Sequence, residues 1–230
     1  MPSDLQIYRA VMKTDLQAFL EGAFPVVDNR WGLEVAPYLE YLISELTGVV
    51  EGRETRLIIN LPPRHLKSVL TSIVFVAWLL GRDPKQRIAV ISHSQALASD
   101  LASKTLQLIS SEFYQRAFPG VRLRDNGRKA MDFVTTDGGG RYAASFETGI
   151  TGRGFDVIII DDPISAHHVK SEKERTNVNE NFDNMIASRL DDQINGVMIV
   201  VGQRMHEDDL SGNLLQNGGW KHVCLPLVAE

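Results

Sequence analysis

Residues 60–68, with the sequence NLPPRHLKS, lie between an apolar run that predicts a strand and an apolar segment that predicts a helix. A loop in that position can hold phosphate groups, because backbone N–H groups and a helix N-terminus face the ligand. In such loops a lysine reaches the β and γ phosphates of a nucleotide, and a serine or threonine hydroxyl ligates Mg²⁺. Lys67 and Ser68 fit these two roles. The residues predicted to surround the phosphates are Pro63, Arg64, His65, Leu66, Lys67 and Ser68.

The loop departs from the general phosphate-loop motif, which has glycine at the positions of Leu61 and Leu66. The alternative interpretation is an ordinary strand-to-helix turn. In that turn Pro62 and Pro63 would end the strand, and Lys67 would be solvated in the first turn of the helix. On the loop alone the two interpretations have equal weight.

Two acids follow a second apolar run. Residues 157–160 predict a strand, and Asp161 and Asp162 come directly after it. Open parallel sheets bind ligands at the carboxyl ends of their strands. At that edge Asp161 could hold Mg²⁺ through water, and Asp162 could orient or deprotonate an attacking water. The alternative is an Asp-Asp-Pro turn without a catalytic role, since Asp and Pro both favour turns.

Many phosphate-loop enzymes have glutamate at the second acidic position, so Asp162 is one methylene shorter than the usual residue. Glu172 or Glu174 on the following segment could therefore serve as the catalytic base instead. We favour Asp162.

Four blocks of the sequence resemble the large terminase subunits of tailed phages and prophages. They are residues 62–68 (PPRHLKS), 152–163 (GRGFDVIIIDDP), 188–190 (SRL) and 201–210 (VGQRMHEDDL), in the family's order. Phosphate loops in that family sometimes lack the second glycine, so the resemblance accounts for Leu66. It implies an ATPase motor domain that hydrolyses ATP with Mg²⁺ to translocate double-stranded DNA into a viral procapsid.

The same resemblance implies partners and a location. Large terminases act with a portal protein and a small terminase subunit, and we expect a homo-oligomeric ring, a pentamer, on the portal. The isolated domain could be monomeric. We expect the protein in the host cytoplasm, where it would dock transiently on the procapsid, and we expect no association with a membrane. The chain stops at Glu230, so we expect the nuclease domain of full-length terminases to be absent.

The resemblance also assigns roles outside the loop and the acids. Arg153, between two glycines, resembles an arginine finger that acts in trans, while Arg64 could act in cis; such an arginine contributes roughly 10³ to 10⁵ in rate. The alternative for Arg153 is an ordinary turn residue. Gln203 resembles the coupling residue that senses the γ-phosphate. Trp31 and Tyr38 resemble the adenine motif, although packing in the core is the alternative for both.

These residues need a scaffold of alternating strands and helices. Strands are predicted at residues 57–61, 87–92, 157–160 and 197–201, a hairpin at 131–146, and helices at 67–80, 95–113 and 169–190. Apolar runs without alternation are typical of a sheet covered by helices on both faces. We therefore predict an α/β fold of the P-loop NTPase (ASCE or RecA-like) class, with a mostly parallel, doubly wound sheet.

A helical lead-in over residues 1–54 is predicted to precede the ATPase core, residues 55–230. Helical spacing covers residues 5–19 and 37–50, and Pro25 is predicted to lie in the turn between them. The lead-in would pack on the core and could contribute to the adenine site.

Composition sets further bounds. The 230 residues are 43% hydrophobic and 23% charged, which is enough for one sizeable core. A net charge of −5 means that any contact with DNA needs a local basic patch.

The single cysteine, Cys224, lies in an apolar run and is predicted to be a core residue. The densest basic stretch, which could touch DNA or a neighbouring subunit or be a solvated loop, contains Arg116, Arg122, Arg124, Arg128 and Lys129, with Asp125 opposing them.

Two other functions use the same features. A helicase or recombination ATPase has the same core, but a helicase would need a second RecA-like domain, for which the residues after Val201 leave no room. A nucleotide-binding assembly module without hydrolysis is suggested by the leucines in the loop. We assign no zinc, because His167 and His168 are adjacent and His206 has no partner at ligand spacing.

Overall fold

The computed structural model describes residues 1–30, 32–124, 129–150 and 152–226. The helices are α1 (Asp4–Thr14), α2 (Leu16–Val27), α3 (Pro37–Val50), α4 (Phe75–Arg82), α5 (Gln95–Ser110), α6 (Glu112–Ala117), α7 (Glu172–Asn181) and α8 (Leu210–Asn217). The strands are β1 (Arg56–Asn60), β2 (Arg87–Ser92), β3 (Asp132–Val134), β4 (Gly140–Ser145), β5 (Val157–Asp161), β6 (Val197–Gly202) and β7 (Lys221–Cys224).

The strands form one sheet in the order β3-β4-β2-β5-β6-β1-β7. Every neighbouring pair is parallel except β3 and β4, which form the predicted hairpin. The central strands carry buried apolar side chains on both faces. On β1, Leu57 and Ile59 face the layer of α1 to α6, and Ile58 faces α7 and α8. The predicted mostly parallel sheet with helices on both faces is therefore confirmed.

The N-terminal helices differ from the prediction in two details. The helix expected over residues 5–19 is divided at Asp15, whose backbone is extended and whose carboxylate accepts from Ala18 N–H at 3.0 Å. That contact caps α2 and ends α1. Pro25 lies inside α2 rather than in a turn, because the helix continues to Val27 and ends at Asp28.

The three longer helices expected in the core are segmented. A π-helical segment, Val69–Val74, leads into α4, and a second one, Phe182–Ile186, follows α7. Ser111 separates α5 from α6, because its backbone is extended and its hydroxyl accepts from Tyr114 N–H at 3.2 Å. Local hydrogen bonds of this kind compete with a continuous helix.

Cys224 is exposed, so its predicted place in the core is wrong. It belongs to β7, at the edge of the sheet, and side chains alternate between the faces of a strand. Val223 takes the buried side and Cys224 the opposite one. Separately, none of the helices in the described ranges combines the length and the apolar character that crossing a membrane requires.

We expect Phe19→Ala to lower the free energy of unfolding by about 3–5 kcal/mol. Phe19 is fully buried and joins α2 to the helices after β2, with ring centroids 5.6 Å from Phe113 and 5.4 Å from Phe118. Urea unfolding measures the change. The control is Ile194→Ala at an 80% exposed position, for which a change within about 0.5 kcal/mol is expected. Equal effects of the two changes would contradict this account of the core.

Candidate phosphate-binding site

The carboxyl ends of β1, β5 and β6 meet at one edge of the sheet, because these strands are parallel and β6 lies between the other two. In the register Asn60 pairs with Gly202, and Asp161 pairs with Val201. The loop over residues 61–68 therefore starts beside the end of β6, and the acids leave β5 on the other side of the same strand.

The loop backbone has the conformation that glycines usually provide. Arg64 and Leu66 have φ angles of 67° and 56°, in the left-handed region that glycine favours. Leu66 occupies the second glycine position of the motif, and a helical run begins at Lys67. The N–H groups of Leu66, Lys67 and Ser68 donate to no acceptor within the described residues. Free N–H groups at the start of a helix favour an anion, so the geometry favours a phosphate loop over an ordinary turn.

Asp161 connects β5 to the helical run after the loop. Its Oδ1 accepts from Ser68 Oγ at 2.9 Å, and its Oδ2 accepts from Ser72 Oγ at 2.6 Å. Ser72 has no role in the sequence analysis; its spacing one helical turn after Ser68 is the only signal for it. The carboxylate is fully buried. Burial, with the nearby charge of Asp162, raises its pKa from 3.8 to about 6, although both hydroxyls and Lys67 oppose the rise.

Lys67 lies beside the second acid. Its Nζ is 3.3 Å from Asp162 Oδ2, and its side chain is 8% exposed. Among the described residues Asp162 is the carboxylate paired with this ammonium, and Lys67 also lines the cleft beside the loop. Glu172 and Glu174 occupy the first turn of α7, and neither contacts Lys67, Ser68 or Asp161 among the described residues. The structure therefore places Asp162, and not these glutamates, next to the loop lysine.

The N-terminal segment forms one wall of an open cleft of about 670 Å³, whose other wall is residues 64–69 of the loop. Asp28 and Arg30 line it and pair with each other at 2.9 Å, and Arg30 lowers the pKa of Asp28 to about 2. Tyr38 contacts the loop: its ring is 5.5 Å from that of His65 and nearly perpendicular to it. Trp31 lies outside the described residues. The cleft has the volume of an ordinary small-molecule site.

Arg153 is not part of this cleft. It precedes β5 and lies at the amino edge of the sheet, opposite the edge that carries the loop. Asp132 Oδ2 pairs with its guanidinium at 2.8 Å, and the guanidinium lies 4.7 Å from the centre of the Tyr142 ring. The side chain is 49% exposed. Within one chain Arg153 therefore lies away from Lys67, whereas Arg64 lies in the loop itself.

Gln203 follows β6 at the site edge and lines a small recess together with Asp162. The segment after it is fixed by Asp209, which the sequence analysis did not single out. The buried Asp209 carboxylate accepts from the guanidinium of Arg204, and its two oxygens also accept from the N–H groups of His206 and Gly212. The cap of α8 therefore determines where Gln203 lies.

The described members of the basic stretch are all exposed, and two of them make local contacts. Arg116 stacks 5.0 Å from the Tyr8 ring on α1, and Arg122 donates to Gln115 Oε1 at 2.9 Å. Both side chains are therefore occupied by local contacts. Arg124 and Lys129 are exposed. The remaining members, Arg128 and its opposing Asp125, lie outside the described residues.

A second buried charge shares the face of the sheet that carries Asp161. Arg141 on β4 is 1% exposed, and its nitrogens have no hydrogen-bond partner among the described residues. Burial lowers its pKa to about 9, and the negative charge of Asp161 opposes that shift. The negative charge of Asp161 thus favours the charged form of Arg141.

The residues at the site edge fit Mg²⁺ bound with a nucleotide. Ser68 and Asp161 present hard oxygen atoms side by side, which is the donor type that Mg²⁺ prefers, and phosphates and water normally complete its six positions. No group of three or more His, Cys, Asp or Glu side chains within the described ranges could hold a metal by protein ligands alone.

We expect Asp161→Asn to stabilise the nucleotide-free protein near neutral pH. A carboxyl pKa raised from 3.8 to about 6 means that ionisation of the folded protein costs stability as pH rises through this window. The whole cost, about 3 kcal/mol, is present at pH values above the raised pKa and vanishes at pH values below the ordinary pKa. Urea unfolding at several pH values should show the variant more stable at about pH 8 and nearly equal at about pH 4. A difference independent of pH would contradict the buried ionised carboxylate.

Arg64→Gly should raise the free energy of unfolding without nucleotide by about 0.5–1 kcal/mol. The left-handed backbone costs an L-residue about 1–2 kcal/mol, and the greater freedom of glycine in the unfolded chain offsets part of the gain. Arg64 is exposed, so little packing is lost. The same change at Lys173, inside α7, is the control and should lower stability by about 1 kcal/mol. Destabilisation at both positions would argue against the loop conformation.

A family-model scan gives no match to this sequence, and a search of curated proteins gives none. The structure is similar to the crystal structure of the HK97 bacteriophage large terminase, with a TM-score of 0.58 over 92% of this chain. The two sequences are 14% identical, and the chain spans 43% of that protein's length. An identity this low shows the fold alone. The chain thus has a terminase-like α/β fold with a seven-stranded, mostly parallel sheet.

Proposed function

We propose that this chain is the ATPase motor domain of a viral large terminase and hydrolyses ATP with Mg²⁺ to translocate double-stranded DNA into a procapsid. One observation carries the proposal: the Ser68 hydroxyl, at the start of a helical run, donates to the buried Asp161 carboxylate at 2.9 Å. Beside that contact lie Lys67 and three loop N–H groups that have no acceptor in the described part of the chain. The fold shared with a phage large terminase supports the packaging part of the proposal.

Each residue of the site has a part in the proposed reaction. The N–H groups of the loop and Lys67 bind the phosphates, and Asp162 orients the attacking water and takes its proton. Mg²⁺, held by Ser68 and Asp161, would neutralise the charge that develops on the transferred phosphoryl group. Gln203, next to Asp162, is placed to report whether the γ-phosphate is present. Once a phosphate occupies the loop, Lys67 gains a second anionic partner besides Asp162.

The adenine is proposed to bind beside the phosphate loop. The cleft between the loop and residues 28–30 leaves room for a base, with Tyr38 beside His65 and Trp31 next to this segment in the chain. For the assembled machine we propose a portal protein, a small terminase subunit and a homo-oligomeric ring, in which a neighbour's Arg153 would complete the site. The host cytoplasm is the proposed place of action.

A nucleotide-binding module without hydrolysis would use the same loop and the same fold. Single-turnover hydrolysis, with the protein in excess over ATP and with Mg²⁺ present, separates the two functions. Release of inorganic phosphate that depends on Asp162 supports the motor domain. Tight binding of ATP without release of phosphate, even at high protein concentration, would favour the binding module.

We expect Lys67→Ala to abolish the thermal stabilisation by ATP and Mg²⁺, because no other cation of the loop can meet the β and γ phosphates in the same geometry. For wild type at ATP near one hundred times Kd, binding should add about 2.7 kcal/mol of stability. Lys170→Ala, at an exposed lysine beyond the acids, is the matched control and should keep the whole shift. The substitution also removes the ion pair with Asp162 and so changes the melting temperature of the free protein. The quantity to compare is therefore the change in melting temperature that ATP and Mg²⁺ produce in each variant. An unchanged shift in Lys67→Ala would remove the basis of the proposal.

The place of Arg153 at the opposite edge of the sheet leads to a mixing experiment. If a neighbour supplies this arginine, hydrolysis per subunit should rise with protein concentration, and Arg153→Ala alone should be nearly inactive. A mixture of Arg153→Ala and Lys67→Ala proteins should regain activity, because an intact site on the first can receive an intact arginine from the second. If Arg64 acts in cis, Arg153→Ala protein hydrolyses ATP by itself, and mixing it with Lys67→Ala protein gives no rescue under conditions where wild-type rings hydrolyse ATP. That result would transfer the role to Arg64.

A further inference from the structure

The backbone position of Asp162 depends on His93, a residue without a role in the sequence analysis. His93 follows β2, which is the neighbour of β5 on the side away from β6. In the register Ser92 pairs with Asp161, so His93 and Asp162 are the next residues beyond that pair. They face each other at the edge of the sheet where the phosphate loop lies.

Asp162 has an unusual backbone conformation. Its φ angle is 47°, in the left-handed region that residues other than glycine rarely adopt. A residue in this region keeps its conformation only when the surrounding structure holds it. The conformation decides where the carboxylate points, because β5 ends one residue earlier and the extended backbone would carry the side chain of the next residue to the other face of the sheet.

Three hydrogen bonds fix the peptide groups on both sides of Asp162. Its N–H donates to Val201 O on β6 at 2.8 Å. Its carbonyl oxygen accepts twice from His93, from the backbone N–H at 3.2 Å and from ring Nδ1 at 2.9 Å. His93 is itself anchored, because Ser92 O accepts from Phe146 N–H at 3.0 Å on the far side of β2.

The ring contact also determines the tautomer of His93. A carbonyl oxygen can only accept, so the proton of the neutral imidazole must be on Nδ1, which leaves Nε2 with a lone pair. One of the three hydrogen bonds that hold Asp162 therefore comes from a side chain, the imidazole of His93. The Asp162 carboxylate then lies between Lys67 Nζ, at 3.3 Å, and Gly202, where an added Cβ would be 3.2 Å from Oδ1.

We infer that His93 is a positioning residue for Asp162: its Nδ1–H holds the Asp162 carbonyl so that the carboxylate faces the loop lysine and the place of the attacking water. The inference rests on the proposed function, since it assigns His93 a part in the same hydrolysis. Within the described residues the imidazole of His93 is hydrogen-bonded to the backbone of Asp162 and to no residue proposed to bind phosphate or metal. It should therefore affect the rate of the chemical step and leave nucleotide binding unchanged.

The kinetic test is a double-mutant cycle with Asp162→Asn, measured at a protein concentration where activity per subunit has reached its plateau. His93→Ala should lower kcat roughly ten- to a hundredfold, the size expected for a misplaced catalytic group, with KM for ATP within about twofold. His93→Asn, whose amide can donate from nearly the same place, should recover most of the rate. In the Asp162→Asn background, His93→Ala should have no further effect. His167→Ala, at an exposed histidine, is the control and should behave as wild type.

A second readout does not depend on hydrolysis. Long-range ¹H–¹⁵N NMR of the imidazole should show the proton of neutral His93 on Nδ1, and the Asp162→Asn variant should keep that tautomer because the contact is to the backbone. The proton on Nε2 would overturn the inference. The inference would also be overturned if the losses in kcat caused by His93→Ala and Asp162→Asn multiplied in the double variant. A raised KM with unchanged kcat in His93→Ala would overturn it as well. If wild type neither binds nor hydrolyses ATP while the Nδ1 tautomer is present, the proposed function fails although the contact of His93 stands.

Discussion

The site depends on one buried contact, in which Asp161 accepts hydrogen bonds from Ser68 and Ser72 of a single helical run. The run follows β1 and Asp161 ends β5, and these strands are separated by β6. The contact therefore spans a strand and fixes the phosphate loop relative to the acids. A buried carboxylate with two hydroxyl donors has little freedom to move. Lys67 lies beside Asp162 because the helix that carries it is fixed at its first turn.

Conformational strain and buried charge are concentrated around that contact. Arg64, Leu66 and Asp162 all have left-handed backbones, although none is glycine. The Asp161 carboxylate is fully buried, and burial raises its pKa. Such costs persist only where the surrounding core holds the chain in place, and they are typical of functional sites. A magnesium nucleotide would offset them, since it brings a cation to the carboxylate and acceptors to the free N–H groups of the loop.

The sequence predicts the scaffold well, because the apolar runs of β1, β2, β5 and β6 fill two faces of one sheet. The meeting of Lys67, Ser68 and the acids could also be predicted, since parallel strands bring their carboxyl ends to one edge. Contacts between strands that are distant in the chain could not be predicted from the sequence. The role of His93 depends on which strand lies next to β5. The direction of β5 in the sheet places Arg153 at the opposite edge. The exposure of Cys224 follows from the edge position of β7.

Amide hydrogen exchange with and without Mg²⁺ and a non-hydrolysable ATP analogue tests the central claim most directly, which is that a loop without glycines binds phosphate with its backbone. The N–H groups of Leu66, Lys67 and Ser68 have no acceptor among the described residues, so they should exchange quickly in the free protein. The account predicts strong protection of these amides on binding, and loss of that protection in Lys67→Ala. Protection elsewhere in the chain, with residues 64–68 unchanged, would contradict it.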